Sequence, residues 1–275
     1  MGQHLVFRLS APLASWGGVA TGTTRGTDAV PSRSALLGLL SAALGIRREQ
    51  QSDLTSLARS VAFAVRVDRE GEILPDYHTV ASASEKALKD FGKAGVTPRT
   101  RKEEVEASLK AVSGSAIGET VILTTRWYRM DASYTVAVHL HGAATVTLEE
   151  LQEALRKPQL VLYLGRKSCP VGWPLAPELV EGADVVEAMR AFDNMDQACT
   201  KAAGLEELSA LAVAPPRKTQ RGRAKGRLLA WEEGVPVPSG LGSVQEAKRF
   251  DEPVHRLRWQ FTQRKELRTM WPEVQ

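Results

Sequence analysis

Three observations in this 275-residue chain predict an α+β fold. Hydrophobic residues alternate with period two in several separated segments. Two apolar helices with recognisable caps fall between those segments. The elements run in the order β-α-β, a long polar arm, then β-α-β. Hydrophobic residues at 43% and charged residues at 25% are the proportions of an ordinary globular protein. Thirty-six basic against 32 acidic residues give a net charge of +4, which permits a polyanionic partner without requiring one.

The opening strand places Leu5, Phe7 and Leu9 on one face and Val6 and Arg8 on the other. The loop after it carries Trp16, Gly17, Gly18, Gly22, Arg25 and Gly26, with Asp28 as its one acid. Pro31, Ser32, Arg33 and Ser34 open an apolar helix that stops at Gly45, a residue tolerant of the left-handed conformation of a helix end. A strand, a glycine loop and a helix N-terminus in succession form a ready anion site, because backbone N–H groups and the helix dipole both point outward. The spacing fits neither a dinucleotide fingerprint nor a P-loop. A phosphate contact and a plain turn both remain open readings.

Ser52 caps a short second helix with Leu54, Leu57 and Ala58 inward. A strand follows in which Val61, Phe63, Val65 and Val67 alternate with Ala62, Ala64, Arg66 and Asp68. Residues 69–130 read as an inserted arm with interleaved Lys86, Lys89, Lys93, Arg99, Arg101, Lys102 and Lys110. Within it, Thr100 and Glu103 make a capping box for a helix carrying Val105, Leu109 and Val112, and Val121–Tyr128 forms a returning strand. Ser133–Leu140 is the next strand, burying Tyr134, Val136, Val138 and Leu140. Thr147 and Glu150 cap a helix with Leu148, Leu151 and Leu155 on one face, and Pro158 marks its exit. Leu160, Leu162 and Leu164 supply a fourth strand before Gly165-Arg166-Lys167-Ser168. The sum is the ferredoxin-like order, with both helices on one face and the other sheet face free, as in RNA-recognition modules.

The remainder is a smaller, irregular C-terminal β region. Asp184 caps a helix bearing Val185, Met189 and Phe192. The run from Pro215 to Arg227 holds six basic residues and no acid, either a solvated loop or a phosphate-contacting tail. A terminal strand, Val254–Phe261, alternates Leu257, Trp259 and Phe261 with Arg256, Arg258 and Gln260. The domain division expected is 1–175 and 176–275, with the arm at about 69–130.

Cys169 and Cys199 form no metal-ligand spacing, so neither a metal nor a cofactor is expected, and two thiols suit a reduced cytoplasmic protein. The longest apolar run, Ala35–Ile46, is too short for a bilayer, and the N-terminus has no signal-peptide pattern, so no membrane partner is expected.

Five stretches in order resemble the CasD-type members of the Cas-five (RAMP) family of the type I-E CRISPR Cascade complex. They are SAPLASWGG, PSRSALLGLLSAALGI, DYHTV at 76–80, DASYTVAV at 131–138 and YLGRKSCPVGWPL at 163–175. The resemblance spans about residues 4–175, with an echo at 249–261; the 81–120 and 205–250 stretches are longer than in shorter members. It implies a ferredoxin-like RAMP domain with a protruding thumb, here the arm. It also implies a non-catalytic subunit that holds the 5′ handle of a CRISPR RNA and caps the CasC filament. The subunit would lie beside the large PAM-recognising subunit CasA, and so near target DNA.

The residues suited to that task are the following. Ser32, Arg33 and Ser34 offer hydroxyls, N–H groups and a guanidinium fork to a phosphate, or Ser32 is simply an N-cap. Trp16 either stacks on a base or anchors its loop. Arg25, Arg126 and Arg129 suit backbone contact, and Arg166, Lys167 and Ser168 suit the handle or a neighbouring subunit. His78, beside Asp76 and Tyr77, touches RNA, or else serves as general acid or base of a metal-independent endoribonuclease that processes repeat RNA, as in a type I-C relative. His139 reads as a satisfied sheet residue, and Cys169 as a small buried group.

Overall fold

The computed structural model describes residues 2–18, 20, 22–81, 100, 102–103, 121–142, 144–202, 227–255, 258 and 260–272, the side chains of 80–81, 121–122 and 196–202 excepted. Lys86, Lys89, Lys93, Arg99, Arg101, Lys110, the expected helix through Val105, Leu109 and Val112, the basic run up to residue 226, Arg256, Leu257 and Trp259 lie outside the described residues.

The elements are β1 (Gly2–Ala14), β2 (Thr24–Arg25), α1 (Arg33–Ala43), α2 (Gln51–Ser60), β3 (Val61–Arg69), β4 (Glu72–Ala81), β5 (Val121–Leu140), α3 (Leu148–Arg156), β6 (Glu178–Gly182), α4 (Val185–Ala202), β7 (Leu228–Trp231), β8 (Gln245–His255) and β9 (Gln260–Met270). They build a mixed helix and antiparallel-sheet structure in the order β6-β1-β5-β3-β7-β9-β8, with β2 and β4 also paired to β5. Two compact units emerge. One comprises Met1–Val19, Gly26–Leu74 and Tyr128–Gln275; the other comprises Ala20–Arg25 and Pro75–Trp127.

In the larger unit, period-two alternation sets both faces of the sheet. Leu5, Phe7 and Leu9 of β1, Phe63 and Val65 of β3, and Tyr134, Val136 and Val138 of β5 join one core with Leu36, Leu37 and Leu40 of α1 and Leu148, Leu151 and Leu155 of α3. Helix α1 begins where expected: the Ser32 hydroxyl accepts from Ala35 N. It ends at Gly45, whose φ is +78. Helix α3 carries the expected capping box, with Glu150 N donating to Thr147 Oγ1 and Thr147 N donating to the Glu150 carboxylate.

Several expectations change. First, the other sheet face is not free. Val6, Ala62, Ala64 and Ala137 pack under Val185, Ala188, Met189 and Phe192 of α4, forming a second core with Leu229 and Trp231. Arg66 and Asp68, on the strand face expected to be free, are buried there. The Arg66 guanidinium bonds Asp68, Asp193 and Thr135 and lies over the Trp271 ring at 4.7 Å. A buried cation needs this many partners, since desolvation would otherwise expel it.

Second, Leu160–Leu164 is not a strand: only Tyr163 and Pro170 form an isolated bridge. Instead, Gln159 N and Leu160 N donate to the carbonyls of Ala43 and Ala42, satisfying the end of α1. The place beside β1 goes to β6, paired Gly2↔Gly182 through Val6↔Glu178. Third, the expected division at residue 175 does not appear. The β6 strand, α4 and, through β3–β7, the C-terminal strands all belong to the same sheet and cores. Fourth, Val254–Phe261 is not one strand: β8 ends at His255 and β9 starts at Gln260, and the two pair antiparallel. Separate strands expected at 121–128 and 133–140 form one strand, β5.

Among the described residues, no helix is long and apolar enough to cross a membrane.

Candidate nucleic-acid interface

Beyond Val6, strand β1 runs past the end of β6, and the chain at 164–175 takes over that edge. Arg8 N donates to Leu175 O, Gly172 N to Ser10 O and Ser15 N to Leu164 O. This satisfies the β1 backbone and fixes Gly165-Arg166-Lys167-Ser168 against Ser15, just past the end of β1. The turn closes with Cys169 N donating to Arg166 O and Leu164 N donating to Cys169 O. Gly165 has φ +91 and lies so close to the Ser15 carbonyl that an added Cβ would overlap it. The Arg166 guanidinium lies 4.9 Å over the Tyr128 ring, and the Tyr128 and Ser168 hydroxyls are 3.3 Å apart. Lys167 and Ser168 are exposed, and Arg166 is half-buried. Cys169 is buried beneath them, and burial pushes its thiol pKa up, the behaviour of a packing residue rather than a nucleophile.

Trp16 fixes the loop from the inside. It is 1% exposed and meets Tyr134 edge-on at 5.5 Å. Its backbone N–H donates to Thr27 Oγ1 and its carbonyl accepts from Asp28 N, so both ends of the loop are tied to it. Of its two readings, the structure supports the anchor and leaves no ring face for a base. Next to it, Gly17 has no neighbour within 4 Å of an added Cβ, and Gly18 has only Asp28 Oδ2 at 3.7 Å.

The helix start differs most from expectation. Arg33 is 8% exposed, and its guanidinium bonds Glu232, Glu252, Val61 O and Ala58 O while lying over the Phe63 ring. The Arg33 backbone N–H, the group expected to face a phosphate, donates instead to Asp251 Oδ2 at 2.8 Å. Ser32 is buried as the N-cap, with its hydroxyl 3.2 Å from that of Ser34. An anion does sit at this N-terminus, but it is a carboxylate of the chain itself. Asp251 also binds Arg249 and Arg264, and Arg249 reaches Asp28 of the glycine loop. In the middle of this network, burial raises the Glu232 carboxyl to about 7 against the opposing pull of Arg33 and Arg264. Arg129 is likewise structural: it is buried, donating to Asp28 O and to the backbone and carboxylate of Glu70.

In the smaller unit, Arg25 and Arg126 are exposed and stand side by side in the parallel β2–β5 pairing. Tyr77 and Leu123 are also exposed there. His78 lies two residues from Asp76 on β4, hence on the same strand face, with Nε2 2.6 Å from Asp76 Oδ2. His139 faces His4 at 5.6 Å, and its Nδ1 finds no hydrogen-bond partner among the described residues, so it is not the satisfied residue expected. Among the described residues no group of three or more His, Cys, Asp and Glu could hold a metal ion.

Sequence reasoning missed Tyr128 as the platform for Arg166, and Asp251, Glu252 and Glu232 as occupants of the helix start. A signal for the second existed: Arg249, Asp251 and Glu252 crowd together in a segment that otherwise alternates. Nothing local said which helix they would meet.

A family model described as CRISPR-associated protein (Cas_Cas5) matches residues 4–265. The chain therefore belongs to the Cas5 family of CRISPR-associated proteins. Among its relatives, the CRISPR system Cascade subunit CasD of Escherichia coli (strain K12) is 37% identical over 201 residues, covering 70% of this chain and 78% of that protein. A chain from a solved CRISPR RNA-guided surveillance complex superposes with TM-score 0.60 at 26% identity, covering 98% of this chain and 91% of that one. A chain described as the crystal structure of a Cas protein superposes with TM-score 0.54 at 23% identity, covering 98% and 95%, a likeness of fold.

Proposed function

We propose that this chain is a non-catalytic RNA-binding subunit of a type I-E Cascade surveillance complex, acting in the cytoplasm in antiviral defence. It holds the 5′ handle of a CRISPR RNA. In that role it caps a CasC filament beside the large subunit CasA, with target DNA near the PAM reached through the assembled complex. The order β6-β1-β5-β3, with α1 and α3 packed on one face, supports reading this part as a ferredoxin-like (RAMP) core. The unit of Ala20–Arg25 and Pro75–Trp127 is read as the thumb-like arm, its Arg25 and Arg126 serving backbone phosphates.

The observation that carries this reading is the glycine-pinned turn at 165–168, which presents an exposed Lys167 and a ring-supported Arg166 beside the open backbone of Gly17. Cations held on a rigid turn bind phosphate at lower ordering cost than the same cations on a mobile loop. The test is Lys167→Glu in the full chain, scored by capture of a handle-bearing RNA. Capture falls at least about tenfold while the melting temperature holds, as expected for an exposed side chain. Undiminished capture would remove the turn from the site.

The Asp76–His78 contact favours a second reading, metal-independent cleavage of repeat RNA. In it His78 takes the proton of a ribose 2′-OH, which attacks the adjacent phosphorus as the P–O5′ bond breaks and a general acid protonates the leaving 5′-oxygen, giving a 2′,3′-cyclic phosphate and a 5′-hydroxyl. Incubation of the chain with repeat RNA in EDTA decides the matter: defined cleavage that His78→Ala abolishes establishes an enzyme, and intact RNA retires the idea.

A further inference from the structure

We propose that the outer face of the β8–β9 hairpin, centred on Phe250, is a second contact surface for single-stranded nucleic acid. It lies on different elements from the turn at 165–168, and it takes its ligand class from the RNA-binding reading above.

The argument begins with a bulge. Pairing shifts between Arg249↔Arg264 and Glu252↔Thr262, so two residues of β8, Phe250 and Asp251, oppose one of β9. Such an insertion re-aims side chains. Asp251 and Glu252 both turn toward α1, where they meet Arg33, Arg249 and Arg264. Glu266 is likewise consumed by Arg249, Arg264 and Arg268. These three carboxylates are spent inward. The opposite face, by alternation from Arg249 and Arg264, carries Lys248, Phe250, Gln263 and Lys265.

Lys248 and Lys265 are directly opposite in the ladder. Like charges so placed destabilise a sheet, and Glu246 reaches Lys265 alone. Phe250, beside them, leaves 55% of its surface in water. An exposed aromatic, an amide and two lysines that repel each other bring no gain to the isolated fold. Together they match what an unpaired strand needs: a ring for a base to stack on and cations for the phosphates flanking it. The exposed apolar side chains of the hairpin, Phe250, Val254 and Met270, offer too little area for a stable protein–protein interface, which buries on the order of 1,000 Å² or more. That favours nucleic acid as the occupant.

The test uses the purified full chain with a twelve-nucleotide oligouridine RNA and, separately, an oligothymidine DNA of equal length. Phe250→Ala is expected to weaken binding about tenfold, Phe250→Trp to restore it, and neither to move the melting temperature. Lys248→Ala is expected to lower the slope of log affinity against log salt by about 0.7. Whichever probe binds more tightly identifies the strand as RNA or DNA. Binding of Phe250→Ala within twofold of wild type overturns the proposal, as does a loss of binding that tracks a loss of folding. Retained nucleic acid with a protein subunit lost from the assembled complex reassigns the surface to that subunit and equally overturns it. The two readings separate cleanly. Lys167→Glu failing on handle RNA while Phe250→Ala binds normally rejects only this surface, and a wild-type chain that binds neither probe nor handle rejects both.

Discussion

Gly165 and Gly17 are the same residue type in one stretch of structure, yet physical reasons separate them. Gly165 holds a left-handed φ of +91 against the Ser15 carbonyl, so any side chain must push two backbone segments apart. Gly17 has ordinary φ and empty space around it. Gly165→Ala should destabilise the protein by on the order of 3 kcal/mol or more, and Gly17→Ala by no more than about 0.5. Urea unfolding of the two variants measures the difference, and equal midpoints would contradict the geometry. Residue chemistry was legible in the sequence wherever the role is local. Ser32 and Thr147 are N-caps, as their positions indicated, and Gly45 ends its helix. Arg33 was misread as a phosphate ligand because a sequence shows that an arginine stands at a helix start, not what lies across from it.

The elements follow the same division. Strands β1 and β3 and helices α1 and α3 were visible through their periods, which act within a few residues. The ionic network joining α1, β7, β8 and β9 was not, since it brings Arg33 together with Glu232 and Asp251 from distant sequence. This network and the histidine pair His4 and His139 make opposite contributions to pH dependence. Glu232 titrates in the fold at about 7 rather than its usual 4.5, so its contribution is full below about 4.5 and is lost as pH rises through about 7. His4 and His139 are held below 6.5, chiefly by burial, so the unfolded chain takes their protons first and stability falls as pH drops below 6.5. Glu232→Gln removes the first effect and leaves the second. On acidification from pH 7.5 to 5, the variant should therefore lose more in melting temperature than the wild type. Equal losses would show that Glu232 does not titrate in this range.

At the scale of the molecule, the decisive finding is that both faces of the β1-β5-β3 part of the sheet are covered. Helix α4 buries the face that carries Val6, Ala62, Ala64 and Ala137, β7 extends that face beside β3, and β6 completes the β1 edge. A fragment of residues 1–175 would expose that face and that edge together. Apolar burial and backbone pairing are the principal terms that offset chain entropy. Expressed alone, the fragment should show no cooperative thermal transition and should aggregate, whereas the full chain melts in one. Calorimetry of the two settles it, and a cooperative melt of the fragment would restore the division at 175.

The sequence by itself determined the class of the fold, the strand and helix periods, the helix caps and, through five ordered motifs, the family. All of these depend on interactions between near neighbours or on residue order. Only the tertiary structure decided that Trp16 is an anchor, that a carboxylate of the chain fills the α1 N-terminus, and that α4 covers the second sheet face. Each of those depends on which distant segments meet. Hydrophobic patterning says that a face will be buried, but the partner that buries it is chosen by the packing of the whole chain.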